Sequence, residues 1–294
     1  MAENSSAQNS NGSNSSISNA ELQAVKVVYL SLNYVAALSN VLMIIVILRS
    51  QQLRQGCGWL IVHCLIGYSL LCGVCFPILR ILQDKISDHL YNPPSTYCSN
   101  FLVVQMTVRY SINIFEVAIS FNRVVAICCP HQYKNVSSRF FVIGLIVMVW
   151  LSAFCLALPG GLGFGLKFVL TPLGSCAFIQ LNNLGLVNLT LGFYSPLALA
   201  AFGYFLVYAK IMKANCGKPR VYQSGAHFTR AYNRRLATAN MMFVAFLWNS
   251  VFYLLIPVLM MTAPQIFSSA PKLHLWITTL QVFGYMLNPP KERC

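Results

Sequence analysis

Long apolar stretches separated by short polar connections dominate the chain after its first two dozen residues. A helix needs about 20 residues to cross the hydrocarbon core of a bilayer, and each stretch is long enough. Most of these stretches are apolar at every helical phase, as expected of a helix that contacts lipid or the interior of a bundle. The pattern predicts an all-α membrane protein, a seven-transmembrane helix bundle with spans at about 25–48, 57–82, 98–128, 139–159, 186–212, 233–261 and 271–290.

The two ends of the chain differ from the bundle. Residues 1–24 form a tail that is rich in Asn and Ser and has no apolar run, so we expect it to be disordered rather than a secretory signal. Residues 291–294 form a very short tail after the seventh span. Three sequons in the first tail fit glycosylation outside the cell, at Asn4, Asn11 and Asn14.

Composition agrees with a membrane protein. The 294 residues are 57% hydrophobic and only 9% charged, whereas soluble domains carry about a quarter charged residues. The net charge of +14 would also suit a nucleic-acid partner, but we attribute it to the basic cytoplasmic loops of membrane proteins and expect no nucleic acid. The 11 cysteines form no cluster with histidine at the spacing of a zinc site, so neither a metal nor another cofactor is expected.

The distribution of basic residues predicts the orientation. With the N-terminus outside, 14 of the 20 Lys and Arg residues fall in the inner loops and tail and five on the outer side, with Arg109 inside the third span. Because basic loops stay in the cytoplasm, we expect a multi-pass plasma-membrane protein with an extracellular N-terminus and a cytoplasmic C-terminus. The sequon at Asn188 then lies near the outer face, where it could be glycosylated.

Polar residues in the third span are candidates for function. A charged group in hydrocarbon costs roughly 2.5 to 3.5 kcal/mol on insertion scales, so such residues usually face the bundle interior. Arg109, Asn113 and Glu116 are spaced by four and three residues and share one helix face. Glu116 is the only acidic residue in any predicted span, and its side chain should point back toward Asn113 and Arg109.

Three interpretations of this face remain open. We favour an internal salt bridge between Arg109 and Glu116, relayed by Asn113. Alternatively, Arg109 forms the floor of a ligand pocket and pairs with an anionic or carbonyl-rich ligand, or the group is a structural polar network without ligand contact. The ligand pocket would also include Gln105, Met106 and Phe193.

Several different short motifs follow one another along the chain in the order and at the spacing typical of one known family. Cys98 precedes Arg123 by 25 residues, and the run Asn122-Arg123-Val124 ends the third span. These motifs resemble those of the rhodopsin-like (class A) G-protein-coupled receptors, and the resemblance covers nearly all of the chain after the first tail. The matching residues in the other spans are Asn40, Trp150, Pro159, Phe193, Pro196, Tyr204, Asn288 and Pro289.

The resemblance implies roles for particular residues. It implies a disulfide between Cys98 and Cys176. It implies that Arg123 engages a heterotrimeric G-protein, with Tyr204 approaching it in the active state. The remaining residues that it implies for coupling are Asn122, Asn288 and Pro289, and the residues that it implies for the bundle core are Asn40, Ser69, Trp150, Pro196 and Trp248.

The chain also departs from the family pattern. Ser69 replaces the acidic residue of the second helix, which puts the family's internal sodium site in doubt. Asn122 replaces the Asp of the Asp-Arg-Tyr motif, as in the melatonin-like and moody/Tre-like branches, so Arg123 lacks its local anionic partner and basal activity should be raised. The seventh-helix motif lacks its tyrosine, and the amphipathic helix that normally follows is missing.

We therefore expect a G-protein-coupled receptor, not an enzyme, that transduces an extracellular ligand signal to intracellular heterotrimeric G-proteins. A biogenic amine is disfavoured as the ligand, because Gln105 stands where aminergic relatives carry an Asp. One alternative is a truncated or receptor-derived protein that does not signal. Another is a transporter or proton-conducting protein that uses Arg109 and Glu116, although the internal repeats typical of transporters are not found.

Overall fold

A computed structural model describes residues 19–54, 57–87, 97–170 and 176–216, together with individual positions between 243 and 282. In the four continuous ranges the chain forms nine α-helices and one β-hairpin. Two π-helical segments, Leu71–Cys75 and Thr190–Tyr194, join α3 to α4 and α8 to α9. The elements are α1 (Asn19–Arg49), α2 (Gln51–Arg54), α3 (Gly58–Leu70), α4 (Phe76–Ser87), α5 (Tyr97–Cys128), α6 (Pro130–Val136), α7 (Arg139–Gly161), β1 (Leu166–Leu170), β2 (Cys176–Gln180), α8 (Asn183–Leu189) and α9 (Ser195–Cys216).

Five helical segments in the described part of the chain are long and apolar enough to cross a membrane, and they occupy the first five predicted spans. The sixth and seventh predicted spans, 233–261 and 271–290, lie outside the described residues except for the individual positions. The five segments are Gln23–Arg49, Gly58–Leu82, Tyr97–Cys128, Arg139–Gly161 and Asn183–Lys210.

The helix α5 is the centre of the described bundle, because it contacts α3, α7, α9 and both strands. Its buried residues Ile112, Phe115 and Ile119 belong to the main hydrophobic cluster, which also includes residues of α1, α3 and α7. The peripheral helices instead expose large apolar side chains, such as Phe140 of α7, which is 90% exposed. Exposed apolar faces around a packed centre are the arrangement expected of helices that contact lipid.

A β-hairpin between α7 and α8 departs from the all-α expectation. Its antiparallel strands pair from Leu166 opposite Gln180 to Leu170 opposite Cys176. The turn into β1 needs Gly165, whose φ is +81° and whose Cβ would lie 2.7 Å from the backbone nitrogen of Gly185. We call the end of the bundle that carries the hairpin the hairpin side, and the end that carries α2 and α6 the opposite side.

Each π-helical segment ends two residues before a proline, at Pro77 and Pro196. The N–H of Phe76 donates to the Leu71 carbonyl and that of Ser195 to the Thr190 carbonyl, which are the i to i−5 bonds of a π-helix. Proline cannot donate to the carbonyl four residues before it. The second and fifth spans therefore each carry an irregular turn beside α5.

Candidate functional site

Arg109 lies in the half of α5 nearer the hairpin side and is half-buried. Its guanidinium carbon is 5.4 Å from the centroid of the Phe76 ring at the start of α4, which is a cation–π distance. Tyr29 of α1 and the thiols of Cys72 and Cys75 are within its electrostatic reach. We call the surroundings of Arg109 between α1, the second span and α5 the Arg109 niche. Phe76 is its contact residue, and Tyr29, Cys72 and Cys75 are its electrostatic neighbours.

Asn113, one turn further along α5, bonds to the fifth span. Its side-chain nitrogen donates to the Gly192 carbonyl at 2.9 Å. In a regular helix that carbonyl would accept from the N–H of residue 196, but Pro196 has none. Asn113 therefore supplies a donor where residue 196 cannot.

Glu116 lies at the next turn and lines a small cavity of about 30 Å³. The Cys64 thiol of α3 donates to Glu116 Oε1, with 3.7 Å between sulfur and oxygen. The cavity brings the second, third and fifth spans together with residues of the predicted sixth span. It is lined by Tyr68, Asn113, Glu116, Pro196, Leu197, Ala200, Phe246 and Ser250.

This geometry differs from the favoured salt bridge. Among the described side chains no ion pair joins Arg109 to Glu116, and Asn113 bonds to Gly192 instead of relaying between them. The two charged residues are seven positions apart, or about 10.5 Å along the helix. Each has a partner on the second span, Phe76 for Arg109 and Cys64 for Glu116. The polar residues of α5 thus bind neighbouring helices rather than each other.

The other pocket candidates lie in the core. Gln105 is 4% exposed and Met106 is 3% exposed. Met106 forms a hydrophobic cluster with Tyr110 of α5 and two alanines of α7, and Phe193 packs against that cluster. The rings of Phe193 and Tyr110 meet edge to face at 5.1 Å. Met106 and Phe193 therefore help to join α5 to the fourth and fifth spans.

Asn188 belongs to the same contact between α5, α7 and the fifth span, and its side chain is hydrogen-bonded. Its side-chain nitrogen donates to the Leu156 carbonyl of α7, and its side-chain oxygen accepts from the Tyr110 hydroxyl at 3.0 Å. A glycan would replace one of the two hydrogens on that nitrogen and would have to fit beside α7. Asn188 thus has a structural role, and its glycosylation stays a prediction.

The opposite end of α5 carries Asn122 and Arg123. The Asn122 side chain is 3% exposed, and its Oδ1 accepts no hydrogen bond from the described residues. Arg123 lies within electrostatic reach of Tyr133 on α6 and Tyr204 on α9. Tyr204 is buried and packs on Phe246, with ring centroids 5.2 Å apart. Residues of α6 and α9 thus lie near the arginine of α5.

Comparison with known proteins identifies the family of the chain. The family described as 7 transmembrane receptor (rhodopsin family) matches residues 39–290, which is most of the sequence. The chain belongs to the rhodopsin family of seven-transmembrane receptors. The chain is also similar to the cholecystokinin receptor type A of Oryctolagus cuniculus, at 24% identity over 137 residues, or 46% of this chain. It spans 31% of the length of that relative.

The predicted core residues of the receptor occupy different environments. Asn40 is buried and donates to the Ala36 carbonyl within α1, and Ser69 donates in the same way to Leu65 within α3. The Trp150 indole donates to His63 Nδ1 at 3.4 Å, and its ring meets Phe115 edge to face. Pro196 is buried at the cavity, and Trp248 is half-buried.

The predicted disulfide of the receptor involves Cys98 at the hairpin side of α5. Cys98 is disulfide-bonded in the structure, and β2, which begins at Cys176, contacts α5. The Cys176 side chain lies outside the described residues, so its pairing with Cys98 stays a prediction. The predicted sites at Asn4, Asn11, Asn14, Asn288 and Pro289 also lie outside the described residues.

Several functional candidates of the receptor were not predicted from the sequence. Phe76 and Cys64, the partners of Arg109 and Glu116, are indistinguishable in the sequence from the other apolar residues of the second span. Tyr110 is likewise indistinguishable from the other aromatic residues of the chain. Gly192 did carry a signal, because a proline four residues later cannot donate to its carbonyl.

Proposed function

We propose that this receptor transduces an extracellular ligand signal to heterotrimeric G-proteins. The observation that carries the proposal is the packing of α6 and α9 against α5, with Arg123 within electrostatic reach of Tyr133 on α6 and Tyr204 on α9. A shift of α9 relative to α5 would change the surroundings of this charge at the surface that a G-protein would meet. The family membership supports the same function.

The polar contacts deeper in the bundle suggest how a ligand could bias that surface. Asn113 ties α5 to the irregular turn of the fifth span, and the adjacent cavity lies between the second, third and fifth spans. A ligand that binds one arrangement of these helices more tightly shifts the population toward it. The coupling is reciprocal, so a bound G-protein should also raise the affinity for an agonist.

The proposal includes an orientation and two modifications. We place the hairpin side outside the cell and the Arg123 end in the cytoplasm, because basic residues concentrate in the loops of that end. The Cys98–Cys176 disulfide would then lie in an oxidising compartment, and Asn4, Asn11 and Asn14 would carry glycans. The protein would reside in the plasma membrane.

The presence of Asn122 before Arg123 leads us to expect raised basal activity. The neutral amide gives Arg123 no adjacent negative charge, and the Asn122 oxygen has no donor among the described residues. A resting state without that ion pair should be less stable relative to the active state. The same Asn-Arg-Val sequence suggests a place near the melatonin-like or moody/Tre-like branches.

Nucleotide exchange on purified G-proteins tests the proposal. The receptor in lipid nanodiscs should accelerate exchange without added ligand, and Arg123→Ala should abolish the acceleration. Arg139→Ala, at the exposed start of α7, removes a positive charge from the same end of the bundle and should leave exchange unchanged. Equal exchange by wild type and Arg123→Ala, across a panel of G-proteins and ligands, would favour the alternative of a receptor-derived protein that does not signal.

A further inference from the structure

The Arg109 niche holds a positive charge, and among the described residues it contains no carboxylate. The Phe76 ring contacts the guanidinium, and Tyr29, Cys72 and Cys75 lie within its electrostatic reach. Glu116, the acidic residue whose side chain the structure describes, accepts from Cys64 two turns away. The Nε of Arg109 is buried and has no hydrogen-bond acceptor among the described residues.

The depth of Arg109 excludes a simple interfacial role. It follows Tyr97, the first residue of α5, by 12 positions, or about 18 Å along the helix axis, which is near the middle of a bilayer. An arginine at a helix end can extend to the lipid headgroups, but one at this depth has to be satisfied inside the bundle. The contact with Phe76 offsets only part of the cost of a charge in this environment.

The Arg109 side chain is expected to lean toward the side from which a ligand would arrive. Side chains on a helix lean toward its N-terminal end, which for α5 is the hairpin side. Arg109 is half-buried although its Nε is closed off, so other atoms of the side chain retain accessible surface.

We propose that Arg109 binds a carboxylate group of the receptor's ligand, whose apolar part packs on Phe76 and Tyr29. The inference rests on the proposed receptor function, since it names the chemical class of ligand for that receptor. A guanidinium presents parallel N–H groups that match the two oxygens of a carboxylate. Among the described residues of the niche a single guanidinium lies beside an aromatic ring, which suits an aromatic or aliphatic monocarboxylate better than a phosphate dianion.

The test compares carboxylates with uncharged analogues. The purified receptor in nanodiscs is titrated with aromatic and aliphatic monocarboxylates, each paired with its primary amide, and with short peptides that have free or amidated C-termini. Binding is followed by ligand-observed NMR. At least one carboxylate of either source should bind at least tenfold more tightly than its amide. The two arms distinguish a small acid from a peptide C-terminus.

Variants of Arg109 assign the effect to the niche. Arg109→Gln should remove the preference for carboxylates and leave amide binding unchanged, whereas Arg139→Gln at the opposite side should change neither. Arg109→Lys keeps the charge but loses the parallel N–H groups of the guanidinium, so this variant should bind carboxylates less tightly than wild type. If Arg109→Gln does not fold, the wild-type comparison and Arg109→Lys still decide the question.

Three results would overturn the inference: equal binding of every carboxylate and its amide, binding of phosphate monoesters in place of carboxylates, or an unchanged preference in Arg109→Gln. Basal nucleotide exchange is measured on the same preparations. If exchange is present and carboxylate preference is absent, the ligand class is wrong and the receptor function stands. If carboxylates bind but no exchange occurs with any G-protein, the proposed function fails and the anion site remains.

Discussion

At the scale of single residues, Asn113 donates a hydrogen bond to a backbone carbonyl of the fifth span. The Gly192 carbonyl cannot accept from residue 196 because Pro196 has no N–H, and Asn113 donates to it at 2.9 Å. A carbonyl left without a donor inside the bundle costs about 1 to 3 kcal/mol. The bond therefore stabilises the packing of α5 against the fifth span.

The stability lost when the Asn113 donor is removed should be partly recovered when residue 196 regains a backbone N–H. We expect Asn113→Ala to destabilise the receptor by about 1 to 3 kcal/mol. Pro196→Ala supplies an N–H within reach of the Gly192 carbonyl, so the double variant should recover part of the loss. Thermal unfolding of the purified receptor in detergent measures all three variants.

A matched control for this pair is Thr107→Ala. Thr107 also donates from α5 to a carbonyl, but to Val103 within its own helix, where a backbone donor is already present. Its loss should therefore be small. No recovery in the Asn113→Ala/Pro196→Ala receptor would show that the Gly192 carbonyl is not the group that Asn113 satisfies.

Arg109 and Glu116 should behave as independent residues. Their side chains have separate partners, Phe76 and Cys64, so the effects of Arg109→Ala and Glu116→Ala on stability should add to within about 0.5 kcal/mol in the double variant. The same thermal unfolding assay measures the cycle. A double variant clearly more stable than the sum predicts would restore the salt-bridge hypothesis.

At the scale of elements, the close approach of α5 to the fifth span depends on a glycine. A Cβ at Gly192 would lie 2.2 Å from the Tyr110 ring, and that ring is fully buried with its hydroxyl bonded to Asn188. The ring has little freedom to move aside, because Phe193 and the α7 alanines pack around it. The spacing of two transmembrane elements is thus fixed at one backbone position.

Gly192→Ala should therefore separate these elements. Overpacking of a tight core typically costs about 1 to 3 kcal/mol, and the shift should also lengthen the bond between Asn113 and the Gly192 carbonyl. Gly144→Ala is the matched control, because a Cβ there meets no atom within 4 Å. Surface expression and the thermal unfolding temperature should fall for Gly192→Ala only. Equal behaviour of both variants would contradict the tight contact.

The sequence predicted the spans much better than the partners of the polar residues. The length of an apolar stretch is set by the thickness of the bilayer that it crosses, so α1, α5 and α7 could be located from hydropathy alone. Contacts such as Phe76 with Arg109 or Cys64 with Glu116 depend on the rotation of one helix against another, which apolar residues at every phase do not encode. The π-helical segments add to the difficulty, because each shifts the following residues relative to a regular helix.

The hairpin was missed for a different reason. Strands of five residues lie between two long apolar segments, and the hydropathy pattern treats the region as a loop. At the opposite side, in contrast, the family resemblance pointed to Arg123 and Tyr204, which lie within electrostatic reach of each other. Motif spacing thus carried information that hydrophobic periodicity did not.

At the scale of the whole molecule, α5 links three chemically different regions. The Arg109 niche lies toward the hairpin side, the cavity at Glu116 lies in the middle, and Arg123 lies at the opposite end beside α6 and α9. The fifth span contacts α5 along this path, through Gly192 at Asn113 and Tyr204 near Arg123. A ligand that changes the packing of these two spans would therefore act on the surroundings of Arg123 through α9.

The Tyr204 hydroxyl is the part of this path that can be removed with the least disturbance. Tyr204→Phe keeps the ring that packs on Phe246 at 5.2 Å and deletes the oxygen that lies within electrostatic reach of Arg123. Loss of about 1 kcal/mol of active-state stabilisation lowers the ratio of active to inactive receptor about fivefold. We expect basal nucleotide exchange to fall accordingly. Tyr208→Phe, one turn further along α9 and stacked on Phe243 at 5.9 Å, should leave exchange unchanged. If both variants match wild type at equal surface expression, α9 does not signal through the Tyr204 hydroxyl, and the coupling between α9 and Arg123 has to rest on packing alone.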